Sequence, residues 1–509
     1  MVKKDSAPVD ARGIFVYSTP MPPRQIYLLS PKELSPETIA VAFAKTSRSP
    51  ESFREIAAEL SDEKSAQFHE KWVVGYGHAS VAEHAVLHIA IENVSRLAVE
   101  SIESNRLASY TEKSTRYQKW GQGDFYIPPE LEGHSLQEGY IQTCHLLFST
   151  YAQSLTPVRE LIERRFPPRD TVRAANNGGT PVRDGNECSA PNETLVPRSG
   201  REPAGARRPA QVQAEEAYDR RIRSQYVDSC RFLLPAASLA NLGMTANARV
   251  LENAIRKMRS HPLAEVRQIG EEIKRVAQGE APTLVKYAEA APYLVETRQG
   301  FEEIHRRDRG ERRENKNFSA HSALSAVQDW CTLVDYDPDG EKKVLAATLY
   351  RFGNMTYPQA LQTVRSAPEP ERVKLAESLL GRLGEHDTPL RELEHTSYTF
   401  DLVLDQGAYA EFKRHRMMTQ TPQTLTARLG YALPRRIAEA GFEVPYRAAM
   451  ESAAEMYERM AAWNPQVAAY LVPNGFNRRV LFTMNLREAF AFCQLRATEN
   501  AHFSIRRVA

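Results

Sequence analysis

The order of sequence elements in the first half of this 509-residue chain recurs in the second half. Residues 84–94 alternate side chains in the pattern of a β-strand, and residues 395–405 do the same. A helical stretch follows each strand. Further on, residues 247–267 and 485–507 both begin Asn-x-Arg and continue as helices. An ancestral duplication explains this order and predicts two similar domains, the first of them enlarged.

Helices next to a few alternating segments in each copy predict an α+β fold: two tandem domains, each with helices and a small antiparallel sheet. We place the first domain at residues 1–304, a polar linker at 305–322 and the second domain at 323–509. Pro, Gly, Asn, Arg and Ser dominate residues 168–214, which predicts a disordered surface insertion. For this insertion a tolerated loop is favoured over a partner-binding arm.

Two helical segments carry apolar stripes. The stripe of residues 446–463, which we expect to pack against the other half rather than to line a cofactor, consists of Tyr446, Ala449, Met450, Ala453, Met456, Tyr457 and Met460. In the last segment, Leu486, Phe490 and Cys493 keep an apolar stripe at i, i+4, i+7, which supports a helix there.

Composition excludes several classes of protein. With 42% hydrophobic and 26% charged residues, the chain is typical of a globular protein. It has no run of about 20 apolar residues and no apolar segment after its N-terminal cations, so we expect a cytoplasmic protein without a membrane partner. Its net charge of +2 favours a small, locally bound anion over a nucleic-acid polymer. Five cysteines lack CxxC spacing, which predicts reduced thiols and no metal site.

Arg414, His415 and Arg416 are contiguous cations that follow a helical segment. Neighbouring helical residues point about 100° apart, so the three cannot all bind one small group. An Arg offers a planar fork to a phosphate or to the carbonyl edge of a heterocycle. His415 can donate to a ring atom that gains charge on reduction. The alternative is a solvated basic helix end.

Residues 108–120 form a second polar block. In an extended segment residues i and i+2 face the same way, so Ser114 and Arg116 can share a phosphate. Lys113 then faces away and leaves its backbone amide as a further donor, while Glu112 can accept a hydrogen bond. The alternative is an ordinary polar loop.

Residues 75–117 and 484–509 resemble the flavin-dependent thymidylate synthases. The hallmark of that family is Arg-His-Arg, two residues, Ser, four residues, Ser, one residue and Arg, preceded by Gly-His-x-Ser/Thr and Glu-His. His78 and the pair Glu83–His84 match the preceding positions. These residues lie either near flavin or folate, or in a turn with a hydrogen-bonded buried His.

Each copy departs from the hallmark in a different place. The first copy has Ser104, Asn105 and Arg106 at the Arg-His-Arg positions, but its loop keeps Glu112, Ser114 and Arg116. The second copy keeps Arg414, His415 and Arg416, but its loop has Pro422 at the acidic position and Arg428 two places late. Ala469 stands where the first copy has Arg231, and Lys257, Met258 and Arg259 are the candidates for a counterpart of Arg496.

The resemblance implies an active site shared between two subunits, and here between the two halves. Its nucleotide-binding residues would be Glu112, Lys113, Ser114, Thr115, Arg116 and Arg231 from the first copy, with Glu411 and Arg414 from the second. Arg496 would be the catalytic residue that polarises the uracil ring. The flavin-binding residues would be Ser80, Thr388, Arg414, His415, Arg416, Asn247, Arg249, Asn253, Asn485 and Arg487. The resemblance leaves open which Asn-x-Arg pair serves the site.

The resemblance further implies conversion of dUMP to dTMP with FAD as cofactor, methylenetetrahydrofolate as carbon donor and NADPH as reductant. It implies a homodimer equivalent to the family's four-subunit assembly. No cysteine lies in a matching motif, which argues against a covalent thiol route. Two alternatives remain. One is methylation of another uridine nucleotide, since the family usually has Gln at the position of Glu411. The other is a scaffold that binds flavin or nucleotide without activity.

Overall fold

A computed structural model describes residues 27–167, 210–313, 330–498 and 501–509, apart from residues 28, 47, 48, 50, 76–78, 117, 119 and 385. Each half contains one antiparallel sheet. The first-half strands are β1 (Val86–Ser95), β2 (Ala108–Glu112) and β3 (Leu239–Asn247). The second-half strands are β4 (Cys331–Tyr336), β5 (Ser397–Asp405), β6 (Thr419–Pro422) and β7 (Asn477–Asn485).

Helices surround both sheets. The first-half helices are α1 (Pro36–Lys45), α2 (Phe53–Ala58), α3 (Asp62–His69), α4 (Arg96–Glu103), α5 (Gln137–Arg165), α6 (Ala210–Cys230), α7 (Ala248–Arg259), α8 (Ala264–Ala277) and α9 (Pro292–Arg313). The second-half helices are α10 (Gly340–Phe352), α11 (Tyr357–Ser366), α12 (Glu369–Leu380), α13 (Gln406–Phe412), α14 (Arg435–Glu439), α15 (Glu443–Trp463), α16 (Pro465–Ala468), α17 (Leu486–Arg496) and α18 (Phe503–Val508). The expected α+β architecture in two tandem domains is confirmed.

The two sheets share a strand order, which agrees with the predicted duplication. The first sheet runs β1-β3-β2, and the second runs β4-β5-β7-β6, so β5, β7 and β6 correspond to β1, β3 and β2. Equivalent strands also end in equivalent caps. Ser95 and Asp405 accept the first hydrogen bonds of α4 and α13, while Asn247 and Asn485 do so for α7 and α17.

The halves meet along a reciprocal backbone contact. The Ala236 amide donates to the Val472 carbonyl at 3.0 Å, and the Asn474 amide donates to the Leu234 carbonyl at 3.0 Å. Because 234 corresponds to 472 and 236 to 474 in the repeat, the two bonds are related by an approximate two-fold axis. Residues that follow Arg231 in the first half therefore lie directly against the second half.

The predicted Met-rich stripe of α15 is confirmed. Its seven predicted positions are the buried residues of the helix, and α15 packs along α5 of the first half in a core that both halves share. Next to it, a Cβ at Gly475 would lie 2.8 Å from the Tyr446 hydroxyl, so that only glycine fits there.

The last segment forms the predicted helix, α17, but the apolar stripe of Leu486, Phe490 and Cys493 is not its buried face. Phe490 and Cys493 are exposed, and Phe492 is the buried residue of this helix. Phe492 packs edge-on against Phe412, at 5.7 Å between ring centroids. The helix is therefore rotated relative to the predicted stripe, and this rotation turns Arg496 towards α13.

Two helices extend into segments that the sequence predicts to be irregular. Helix α6 begins at Ala210, within the predicted insertion 168–214, and α9 continues to Arg313, within the predicted linker 305–322. The other residues of both segments lie outside the described ranges. Across those ranges, none of the helices has the length and apolar character that crossing a bilayer requires.

Candidate active site between the two halves

One carboxylate, Glu411 in α13, contacts guanidiniums from both halves. Arg231 Nη2 lies 3.4 Å from Glu411 Oε1, and Arg496 Nη1 lies 3.4 Å from Glu411 Oε2. Arg231 directly follows α6 in the first half, whereas Arg496 ends α17 in the second half. Arg231 and Glu411 are buried. We call the surroundings of Arg231, Glu411 and Arg496 the composite site.

Arg231 is held from several sides. Its Nη1 atom donates to Thr115 Oγ1 at 2.9 Å, and its Nε lies 3.4 Å from Asp228 Oδ1. Burial lowers the pKa of Arg231, while Asp228 and Glu411 raise it. Thr115 is itself buried, so its hydroxyl fixes the guanidinium in a place that water reaches poorly.

Arg116 shares the carboxylate of Asp228. Its Nε donates to Asp228 Oδ1 at 2.9 Å and its Nη2 donates to Oδ2 at 2.7 Å. The backbone amide of Arg116 donates to Ser114 Oγ at 3.2 Å. Asp228 thereby holds Arg116 and Arg231 side by side, and Ser114 lies in the same turn as Arg116.

Glu112, the last residue of β2, is ionised. Its Oε1 lies 2.7 Å from Arg96 Nη1. Burial raises the pKa of Glu112, but Arg96, Lys413, Arg414 and Arg231 outweigh that effect and hold the pKa below its ordinary value. Cations of both halves therefore act on this carboxylate.

Lys113 differs from the prediction. Its backbone amide donates to the Asn241 carbonyl at 2.8 Å, because it continues the pairing of β2 with β3. This amide is not a free donor for a ligand. The Lys113 Nζ atom lies 4.8 Å from the centroid of the Trp120 ring.

His415 connects Arg496 to a second carboxylate. Arg496 Nε donates to His415 Nε2 at 3.0 Å, so Nε2 is the unprotonated nitrogen. His415 Nδ1, which then carries the proton, lies 3.1 Å from Glu488 Oε1. Burial lowers the pKa of Arg496 and Glu411 raises it. Both nitrogens of His415 have protein partners, and the ring orients the Arg496 guanidinium.

The three contiguous cations point in different directions, because α13 ends at Phe412 and the chain turns. Arg414 is exposed, whereas His415 is buried. Arg416 Nη1 donates to the Arg106 carbonyl at 3.1 Å, and its guanidinium carbon lies 5.7 Å from the Tyr110 ring centroid. Arg416 thus faces the first half, away from His415.

The second-half flavin candidates lie together. Arg487 Nε donates to the Pro389 carbonyl at 2.9 Å, next to the exposed Thr388. Asn485 caps α17 by accepting from the Glu488 amide at 2.9 Å. Since Glu488 also contacts His415, this group adjoins the composite site.

The first-half candidates form another group at the start of α7. Asn247 caps that helix, Arg249 pairs with Glu83, and Asn253 is exposed one turn further along. Ser80 is exposed immediately before the short 3-10 helix Val81–His84. His78 lies outside the described residues.

Sequence reasoning missed four residues of the site. Asp228 lies three residues before Arg231, a helical spacing that can indicate a pair. Glu488 lies three residues after the capping Asn485, where acidic residues are common. Arg96 and His502 gave no local signal. His502 Nε2 lies 3.4 Å from the Asp228 carbonyl oxygen, and burial lowers the pKa of His502 well below its ordinary value.

The thiol next to Arg231 is not a candidate nucleophile. Burial raises the pKa of Cys230 to about 12, so the thiol stays protonated at neutral pH. Within the described ranges no group of three or more His, Cys, Asp or Glu side chains could hold a metal ion.

Comparison with known proteins gives a family for both halves. The model of the thymidylate synthase complementing protein family matches residues 29–283 and 332–509. A UPF0159 protein from Chlamydia muridarum is 31% identical over 462 residues, which cover 89% of this chain and 78% of that protein. A UPF0159 protein from Thermoplasma acidophilum is 27% identical over 474 residues, covering 89% of this chain and 86% of the relative.

Shorter matches carry a functional name. A flavin-dependent thymidylate synthase from Clostridium tetani is 38% identical over 98 residues, 19% of this chain and 39% of that protein. The chain is also similar to the crystal structure of flavin-dependent thymidylate synthase ThyX from Helicobacter pylori complexed with FAD and dUMP. The match covers 35% of this chain and 89% of the ThyX chain, with 17% sequence identity and a TM-score of 0.26.

Proposed function

Because the chain belongs to the family of thymidylate synthase complementing proteins, we propose that it converts dUMP to dTMP at the composite site. Methylenetetrahydrofolate would donate the carbon, and NADPH would be the reductant for FAD. The observation that carries this proposal is the pair of contacts from Glu411 to Arg231 and to Arg496, since it joins the residues of the two halves that the family resemblance assigns to one nucleotide.

Residues of both halves supply an anion site for the nucleotide phosphate. Arg116 and Arg231 share Asp228, and Arg231 and Arg496 share Glu411. With Arg414, these side chains carry more positive than negative charge. A phosphate dianion matches such a surplus, and the planar guanidiniums offer it bidentate hydrogen bonds.

Arg496 supplies the charge for the reaction at the base. Uracil C5 becomes nucleophilic when its ring carries negative charge, and a guanidinium held beside the N3–O2 edge stabilises that charge. His415 and Glu411 fix the Arg496 guanidinium before any ligand binds. Such preorganisation avoids a reorganisation cost during the reaction. The protonated Cys230 thiol supports a route without a covalent thiol adduct.

The donor set next to His415 fits a flavin. Exposed Arg414 and Thr388, with Asn485 and Arg487, offer guanidinium, hydroxyl and amide groups of the kind that bind ring carbonyls and phosphates. These residues would hold FAD, which supplies hydride-transfer chemistry when bound. We assign this role to the second-half Asn-x-Arg pair because Glu488 links it to His415.

Glu411 favours a second candidate, the methylation of a different uridine nucleotide. A carboxylate placed between Arg231 and Arg496 competes with any anionic ligand, and it can accept hydrogen bonds from a sugar hydroxyl. A ribonucleotide substrate such as UMP provides one more hydroxyl than dUMP. Assays with both nucleotides distinguish the two candidates.

The test uses purified full-length chain supplied with FAD, dUMP, methylenetetrahydrofolate and NADPH. We expect a yellow protein and the formation of dTMP. Chain that binds FAD but forms no methylated product from either nucleotide contradicts the proposal and favours a flavin-binding scaffold. A homodimer in solution, measured by light scattering, is part of the same proposal.

A further inference from the structure

A cavity of about 360 Å³ lies where the repeat predicts the reciprocal of the composite site. Its lining includes Ser104, Met258 and Pro422. In the repeat these residues occupy the positions of Arg414, Arg496 and Glu112. The residues proposed to bind the nucleotide are therefore replaced in this cavity, although the space between the two halves remains. Its volume is within the range of small-molecule pockets.

Three cations of this cavity contact only neutral partners among the described residues. Lys257 Nζ donates to Ser104 Oγ at 3.1 Å, and Arg106 Nη2 donates to Thr419 Oγ1 at 3.1 Å. Arg416 Nη1 donates to the Arg106 carbonyl at 3.1 Å. Burial without a carboxylate partner lowers the pKa of Lys257, which means that its charged form is poorly solvated.

The carboxylates of the cavity are already neutralised. Glu100 lies 2.7 Å from Arg478, and Glu103 lies 2.8 Å from Lys413. His261 also lines the cavity, and burial lowers its pKa to about 4, so the ring is neutral at pH 7. Lys257, Arg106 and Arg416 therefore leave a net positive charge inside a partly enclosed space.

We propose that this cavity is a second ligand site, which binds the phosphate groups of a small molecule through Lys257, Arg106 and Arg416. A phosphate is the ligand that these side chains favour, because two guanidiniums and an ammonium offer several charged donors to one group. The site is separate from the composite site, since Arg106 and Lys257 belong to its reciprocal, and Arg416, which the family resemblance assigns to the flavin, faces the first half and lines this cavity. This proposal does not depend on the proposed reaction.

The probe is inorganic pyrophosphate, titrated calorimetrically into the full-length chain at low salt. We expect binding at this cavity that Lys257→Met and Arg106→Met each weaken at least about tenfold, as loss of a charge-assisted contact predicts; any pyrophosphate bound at the composite site adds a second, separate site. The matched control is Lys342→Met, since Lys342 is a surface lysine paired with Asp339, and it should bind as the unmodified chain does. Melting curves verify that each variant is folded.

Two further titrations show which site binds the anion and which ligand supplies it. Arg496→Ala should leave the site that Lys257→Met weakens unchanged and should affect only pyrophosphate bound at the composite site. Loss of binding in Arg496→Ala together with normal binding in Lys257→Met would locate the anion in the composite site and overturn the proposal. Absence of any binding would overturn it too. Repeating the titration with FAD-loaded chain identifies the source: binding that FAD blocks assigns the phosphates to the cofactor, and unchanged binding assigns them to a separate metabolite.

Discussion

Arg231 Nη2 in the first half lies 3.4 Å from Glu411 Oε1 in the second half. The other oxygen of Glu411 lies 3.4 Å from Arg496 Nη1. A single carboxylate thus neutralises two guanidiniums that the proposed nucleotide needs. In the proposed reaction, this pair of contacts would couple binding of the phosphate, at Arg231, to the charge presented to the base, at Arg496.

Replacing Glu411 by Gln should tighten dUMP binding about tenfold, equivalent to ~1.4 kcal/mol. The change removes a negative charge from an anion site and keeps the shape of the side chain. Calorimetric titration with dUMP measures the effect. Glu458→Gln is the matched control, since Glu458 pairs with Arg428 at the surface. Weaker binding of dUMP by Glu411→Gln would show that the carboxylate itself contacts the nucleotide.

Replacing Arg496 by Ala should lower the rate of dTMP formation about 100-fold, or ~3 kcal/mol in transition-state stabilisation. The reason is the loss of the positive charge beside the uracil ring. Arg259→Ala is the control from the equivalent helix of the first half, because Arg259 pairs there with Glu289. An equal loss in both variants would refute the assignment of Arg496 to the active half-site.

Asp228→Ala should destabilise the protein by about 3 kcal/mol, since it leaves Arg116 and the buried Arg231 without their shared carboxylate. Urea denaturation followed by circular dichroism measures the free energy of unfolding. Asp219→Ala, in the same helix, removes an exposed pair with Arg159 and should cost less than about 1 kcal/mol. Similar losses would mean that Asp228 is not a buried anchor.

His261 should make stability depend on pH. Burial, with Arg298 and Arg267 nearby, lowers its pKa from 6.5 to about 4. The unfolded chain therefore takes up a proton below pH 6.5 that the folded protein takes up only near pH 4, so the free energy of unfolding falls as pH drops through this window. His261 contributes at most about 3 kcal/mol to the fall.

The comparison of His261→Gln with the unmodified chain isolates this contribution from that of other histidines. Urea denaturation at pH 7 and pH 4.5 should show a smaller loss of stability in the variant. His145→Gln changes an exposed histidine, and its loss of stability between pH 7 and pH 4.5 should equal that of the unmodified chain. A loss in His261→Gln equal to that of the unmodified chain contradicts the prediction.

The repeat can be recognised in the sequence because it is marked by patterns of neighbouring residues. Alternating strands, the Asn-x-Arg starts at Asn247 and Asn485 and the stripe of α15 are each visible in neighbouring residues along the chain. The same signals predicted the α+β fold. The sequence resemblance also selected Arg231, Glu411 and Arg496, which the fold brings into contact.

What the sequence could not predict depends on contacts between distant residues. The rotation of α17 is set by Phe492 packing on Phe412, not by its own apolar spacing. The first sheet places Arg96, which follows β1, next to Glu112 at the end of β2. His502 lies next to Asp228 because the end of the chain packs against the first half. The sequence predicts a free amide at Lys113 because local signals do not show that the pairing of β2 with β3 continues to this residue.

The number of dUMP molecules that bind per chain tests most directly whether the two halves form one site. Equilibrium dialysis of the full-length, FAD-loaded chain should give one dUMP per chain, and both Arg231→Met and Arg496→Ala should abolish or strongly weaken that binding. Two equivalent dUMP molecules per chain, or tight binding that survives either substitution in a folded variant, would contradict a single composite site.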